Sequence, residues 1–507
     1  MLKSFLKRKY MRPEKIQIIV DQVEEILKKL NKDQKRNADV LSEIHPFHIK
    51  SAANLINYLS LRSFDLKELQ RKLGYLGMSR LARAEAHIEA SLKITRFYLN
   101  QLIGKKSAWP SKQTISIKKS EKQLIKNTNR LFGDPPAHRR QRIMVTMPGF
   151  SATDYELVEQ MIQQGMKIAR INCAHDLPDI WQGIIDHIKF ADKKLGKRTI
   201  IAMDVSGPKI RTGELEKAIP LLAGDVIKLS RIPHQGIMAV HNDKGALLSP
   251  ATVSCTLPEV FDFLQAGDPV YFDDGTIKGE INFMERDFAE VKIIRAGQNG
   301  AKLKADKGIN FPESGLSIHG LTKKDRENLP FIARHADIVN YSFVNTAEDV
   351  REMHHALKDL GVWDKLGVIY KIETQLAYNN LVQLLLEALK APKVGIMIAR
   401  GDLAIEAGWD QMGNIQKEML AICHACHVPI VWATQVLEKL AKKGLPSRSE
   451  ITDAVNATKA ECIMLNKGPH IVKAIQLLDQ IIVDAEQFQF KNAPMLSPLK
   501  KLSRPKR

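Results

Sequence analysis

Apolar and polar positions follow two rhythms along the 507-residue chain. Before residue 104 the apolar residues recur every three or four positions, as in IQIIVDQVEEILKKL and in ELQRKLGYLGMSRLARAEAHIEASLKITRFYLNQLIG. That spacing lines one face of a helix and predicts an N-terminal α-helical region over 1–104, broken near Gly74 and Gly77. Residues 105–140 are rich in Lys, Ser and Pro and read as a basic linker with room for one short helix. From residue 142 the rhythm changes. Short, near-continuous apolar runs alternate with helical stretches: RIMVTM, KIARIN, RTIIAMDV, DIVNYSF, GVIYKIE, GIMIARGD, PIVWATQ and CIMLN. Such runs suit parallel strands buried on both faces. Eight strand–helix units predict an α/β fold, a TIM (β/α)₈ barrel over 141–213 and 307–490. A doubly wound sheet would more often show an early glycine fingerprint, and none is present. Residues 214–306 alternate with period two between Gly and Asp punctuation, which predicts a small β domain inserted after the third barrel strand.

Composition narrows the class without redirecting it. Hydrophobic residues make up 44% and charged residues 26%, as in ordinary globular chains. No apolar stretch is long enough to span a membrane, and the basic start lacks the apolar core of a secretory signal. Five scattered cysteines fit free thiols in a cytoplasmic protein. The net charge of +19 is uneven: residues 1–140 carry +17, a basic tail at 491–507 carries +6, and the rest carries −4. Nucleic acid is a conceivable partner for those ends, but solvated basic faces are the favoured reading.

A barrel places its chemistry at the C-terminal ends of its strands. Strand two ends in Arg170 and Asn172. Strand three ends in Asp204, followed by Lys209 and Arg211. Strand five ends in Lys371 and Glu373, strand six in Arg400, Gly401 and Asp402, and strand seven in Thr434. So many charges on one rim predict a site for a phosphorylated, carboxylated anion held through a divalent metal. Glu373 and Asp402 are hard oxygen ligands suited to Mg²⁺, with Mn²⁺ as a substitute. Arg170 can fork onto a phosphoryl group. Lys371 can neutralise charge developing on a transferring phosphoryl or an enolate. The segment Ala399-Arg400-Gly401-Asp402 can offer backbone N–H groups to a carboxylate. Thr434 supplies a hydroxyl for positioning or proton work.

The segments ARINCAHD, MDVSGPKIRTG, VYFDDGTI, KIET, GIMIARGDLAIE, WATQVLEKL and AECIMLN, in that order and spacing, resemble the pyruvate kinase family. The resemblance covers roughly 142–490. It implies a TIM barrel with a mobile small β-barrel lid, and phosphoryl transfer from phosphoenolpyruvate to ADP. Carried over, Arg170 would contact the phosphoryl group, with Arg211 helping to hold it. Lys371 would stabilise the transition state and the enolate. Glu373 and Asp402 would hold the metal, and Ala399 and Gly401 would cradle the carboxylate. Thr434 would sit where the enol is protonated. Asn172, His175 and Asp274 of the lid would serve the nucleotide side. The family's monovalent-cation site maps to Asn172 and Asp204, with Lys209 standing where an acid is usual. Ala174 removes a hydroxyl that would ligate K⁺, so K⁺ is not expected to be required. A homo-oligomer is expected. The segment Asn466-Lys467-Gly468-Pro469 replaces the family's Ser-Gly-Glu-Thr. The family's usual C-terminal regulatory domain is not expected here, and neither is its sugar-phosphate activation.

Two other functions compete. One is an aldolase or lyase of the wider phosphoenolpyruvate class, which would not need the nucleotide lid. The other is a catalytically weak barrel whose basic N-terminal region binds a partner or RNA. The sequence Cys423-His424-Ala425-Cys426-His427 matches a haem-attachment pattern but lies in a predicted barrel helix, where chance is the better explanation.

Overall fold

The computed structural model describes residues 12–494 except 175, 317, 319 and 492. His175 and most of the basic tail therefore lie outside the described residues. Eight parallel strands close into a barrel, each beside its sequence neighbours and the last beside the first. They are β1 (Arg142–Thr146), β2 (Met166–Asn172), β3 (Ile200–Val205), β4 (Ile338–Tyr341), β5 (Gly367–Ile372), β6 (Val394–Ala399), β7 (Ile430–Ala433) and β8 (Cys462–Leu465). All eight apolar runs of the sequence are strands.

The inserted domain lies between β3 and β4. Among the described residues, six strands form its largest sheet, in the spatial order Ile309–Asn310, Pro269–Phe272, Ile277–Met284, Phe288–Arg295, Val226–Ser230 and Ala251–Ser254. Its own core gathers residues such as Ile227, Val253, Phe272 and Val291. The outgoing connection turns at Gly207, whose φ is +66°, and a Cβ there would lie 2.7 Å from the Ser342 carbonyl oxygen. Only glycine fits such a turn and approach.

Among the described residues the four longest helices ahead of the barrel are α1 (Pro13–Arg36), α2 (Ile49–Arg62), α3 (Ile88–Leu102) and α4 (Ile117–Phe132), with the shorter Ala38–Ser42 and Lys67–Tyr75 between them. Proline opens α1, and Ile16, Ile19, Val23, Ile26 and Leu30 fill its buried face at helical spacing. The first three share one continuous core with the barrel helices. Asn54 Nδ2 donates to the carbonyls of Glu85 (2.7 Å) and Ala425 (2.8 Å), and Asn127 Nδ2 donates to that of His427 (2.8 Å).

The segment read as a linker holds α4, four full turns long. Ser116 caps its start and Gly133, with φ +70°, ends it. Leu131 and Phe132 join the apolar interior of the barrel. Side chains on Gly367 or Gly395 would come within 2.5 and 2.6 Å of Leu131 methyl groups, so these strand glycines make room for it. The segment is thus the floor of the barrel. Its few apolar residues, spread among lysines, hid that role.

The cysteines are free and buried. Cys423 and Cys426 lie at the end of the helix Met412–Ala425, and the buried His427 ring bonds Ser51 Oγ and the Ala86 carbonyl, both at 3.0 Å. The haem-like pattern is packing. No described helix is long and apolar enough to cross a membrane.

Candidate active site

Inside the barrel, one layer is apolar: Met144, Ile168, Ala202, Ile338, Ile369 and Met397 belong to the same buried cluster. Strand residues two apart point to the same side. Two positions onward the same strands bring Thr146, Arg170, Asp204, Asn340, Lys371 and Ala399 to the mouth. One step of the strand period separates core from chemistry.

These groups form a connected network. Arg170 forks onto Asp204, with Nε to Oδ1 at 3.0 Å and Nη2 to Oδ2 at 2.6 Å, and its Nη1 donates to Thr146 Oγ1 at 2.9 Å. Asn340 Nδ2 donates to Asp204 Oδ1 at 2.7 Å. Lys371 Nζ lies 3.4 Å from Asp204 and 3.1 Å from Glu373, and donates to Ser342 Oγ at 2.9 Å. Glu373 accepts the Phe343 N–H at 2.7 Å. Lys209 Nζ donates to Asp402 at 2.8 Å. Three cations face three carboxylates, and Asp204, Arg170, Lys371 and Glu373 are all buried.

Burial and charge divide the carboxylates. Burial alone would push Asp204 up, but Arg170 and Lys371 outweigh it and hold the group below its ordinary value. Glu373 goes the other way: burial raises it, Lys371 only partly opposes this, and the nearby Asp402 raises it further. Burial works against the Lys209 ammonium, yet Asp402, Glu373 and Asp274 lift it above its usual value. Glu373 and Asp402 thus form a pair of hard oxygen donors whose mutual repulsion is incompletely relieved. Among the described residues no three His, Cys, Asp or Glu side chains converge as a metal cluster. Two carboxylates without a third protein ligand suit Mg²⁺, which keeps positions for water and substrate oxygens.

At the end of β6 the chain passes directly into helix α5 (Arg400–Ala407), and no side chain caps its start. Its first N–H groups, beside Ala399 and Gly401, have no such internal acceptor. Thr434 stands over Gly401, its Oγ1 3.9 Å from where a Cβ would be. Its φ is +63°, a costly backbone state for a β-branched residue, and its hydroxyl is buried without a partner. Strain and an unpaired polar atom at one residue mark a group held for a ligand.

Not every residue expected at the rim joins this network. Arg400 forks onto Asp453 at 2.6 and 2.8 Å and bonds the carbonyls of Ala433 and Thr434. Its guanidinium braces the β7 turn, leaving only its backbone for the mouth. Arg211 Nη1 bonds the Asp306 carbonyl at 3.0 Å within the inserted domain's connections. Asn172 Oδ1 accepts the Ala174 N–H at 3.2 Å and lines a cavity of about 250 Å³ with Arg170, Lys442 and Lys467. Asp274, with φ +53°, lies in the turn of the inserted domain that overhangs Lys209. Sequence reasoning passed over Asn340 and Ser342, although the period-two step from Ile338 places Asn340 in the mouth.

Comparison with known proteins places the barrel in a family. The family model for the pyruvate kinase barrel domain matches residues 138–469. A pyruvate kinase of Geobacillus stearothermophilus is 31% identical over 359 residues, covering 69% of this chain and 57% of that protein. One from Staphylococcus aureus (strain USA300) is 29% identical over 360 residues, covering 69% and 58%. The chain therefore spans less than two thirds of the length of these relatives.

Proposed function

The chain belongs to the pyruvate kinase family, and from that premise we propose that it transfers the phosphoryl group of phosphoenolpyruvate to ADP, giving pyruvate and ATP. The observation that carries this reading is the mouth itself: Arg170, Lys371, Glu373 and Asp402 meet beside a strained Thr434 with a free hydroxyl. Phosphoryl transfer needs positioning and charge neutralisation above all, and the network supplies both. Glu373 and Asp402 would hold Mg²⁺, which supplies positive charge to the phosphoryl and enolate oxygens when bound. Arg170, held in plane by Asp204, turns the remaining N–H of each Nη to the phosphoryl oxygens. The Lys371 ammonium, fixed by Ser342, faces the charge that appears on the bridging oxygen as the P–O bond breaks. The open N–H groups at the start of α5 receive the substrate carboxylate. Thr434 Oγ1 stands on the side from which C3 of the enolate takes its proton to form pyruvate.

The Lys209 ammonium, already placed among Asp402, Glu373 and Asp274, supports activity without K⁺. The inserted domain, roughly 214–306, serves as the lid on the nucleotide side, and the enzyme works in the cytoplasm as a homo-oligomer. The test is pyruvate formation from phosphoenolpyruvate with and without ADP. ADP-dependent pyruvate that vanishes in Lys371→Met and Asp402→Ala is expected. ADP-independent turnover would point to a lyase instead.

A further inference from the structure

Helix α5 carries Asp402, and it is also where the inserted domain meets the barrel. Both connecting segments touch it. On the outgoing segment Lys209 reaches Asp402 at 2.8 Å. On the return strand Asn310 Nδ2 donates to Glu406 Oε1 at 2.8 Å. Between them, the turn at 273–275 packs against the same helix, with the Cβ position of Gly275 3.6 Å from Ile405 Cγ1. Residues 402, 405 and 406 lie three and four apart, so one helix face makes all three contacts.

The contact at Glu406 differs from the other two. Asn310 pairs with Tyr271 at the edge of the six-stranded sheet, so its position is coupled to the whole sheet. Glu406 lines a cavity of about 150 Å³ together with Lys209, Phe311, Phe343 and Leu376. Burial in these apolar surroundings pushes its carboxyl up to about 7; the Asn310 amide opposes the rise and Asp402 adds to it. Lys209 and Asp402 are the charged groups facing it. The adjoining loops present Phe343, Asn345, Thr374, Gln375 and Leu376, none of them charged. An acid held where it is poorly solvated, with one hydrogen bond to a neighbouring domain, is costly as packing alone.

We propose that Glu406 is a positioning residue: through Asn310 it seats the inserted domain on α5 and thereby sets where Lys209 and Asp274 stand relative to Asp402. Glu406 itself touches no substrate. The proposal rests on the mouth being the phosphoryl-transfer site, but the seating can be measured without turnover.

The test uses the full chain with Glu406→Ala, Asn310→Ala, the double variant and Glu406→Gln, each first checked for a cooperative melt. Amide hydrogen exchange is followed in 269–284 and 309–310 without substrates, and KM and kcat are measured separately. Each single alanine variant is expected to speed exchange in those strands and raise the KM for ADP about tenfold, with kcat changed less than threefold. The double variant should be no worse than either single one. Glu406→Gln keeps the acceptor and should restore both readouts. Wild-type exchange and KM in both alanine variants would overturn the proposal, as would additive effects in the double variant or a glutamine variant as impaired as alanine. If the unaltered chain shows no turnover, the kinase reading fails while the exchange data still judge the seating.

Discussion

The two ends of the barrel are built from the same eight strands, and they differ in almost everything else. At the floor, Met144, Ile168, Ile338 and Ile369 close on Leu131 and Phe132 from α4. Two residues further along, the strands carry Arg170, Asp204, Asn340 and Lys371. The floor is satisfied: apolar groups meet apolar groups, and two strand glycines make room for the plug. The mouth is not: Thr434 keeps a strained backbone and a hydroxyl without a partner, and Glu373 is pushed toward its neutral form. Stability is concentrated at one end and unspent electrostatic potential at the other.

That contrast can be broken experimentally. The largest effect is expected at the mouth. Lys371→Met should lower kcat by roughly three orders of magnitude or more, while the melting temperature moves only a few degrees; an equal loss of stability would erase the distinction. At the floor the reverse should hold. Phe132→Ala should cost about 3–5 kcal/mol in chemical denaturation, with kcat per folded molecule unchanged. Glu406→Gln sharpens the comparison by linking stability to pH. The folded chain holds that proton more tightly than the unfolded chain, so the group favours folding below the ordinary carboxyl range. That contribution fades as pH rises toward about 7. The glutamine variant should therefore gain up to about 2 kcal/mol relative to wild type at pH 8 compared with pH 5, after discounting for partial exposure. The smallest effect is a null one. Adding K⁺ at constant ionic strength should leave turnover unchanged, and a clear activation would contradict the assigned role of Lys209.

The same contrast explains what the sequence revealed. Every barrel strand was legible, because a strand buried on both faces must be apolar along its length. Strand ends pointed to Arg170, Asp204, Lys371, Glu373 and Asp402, because the barrel mouth is defined by direction alone. Contacts made across the fold were not legible. Lys209 meets Asp402 across 193 positions and Arg211 meets Asp306 across 95, and no periodicity relates them. Arg400 was read through its backbone N–H, and the pairing of its side chain with Asp453, 53 positions away, had no signal in the sequence. The plug α4 looked like a linker because Leu124, Leu131 and Phe132 are few among its lysines, and their value appears only against Gly367 and Gly395.

The most direct measurement is Mn²⁺ binding followed by electron paramagnetic resonance, since it asks whether Glu373 and Asp402 share one divalent cation. One bound Mn²⁺ per chain, displaced by Mg²⁺ and lost in both Glu373→Gln and Asp402→Asn, is expected. Binding that survives both substitutions would place the ion elsewhere and remove the basis for the mouth as the phosphoryl-transfer site.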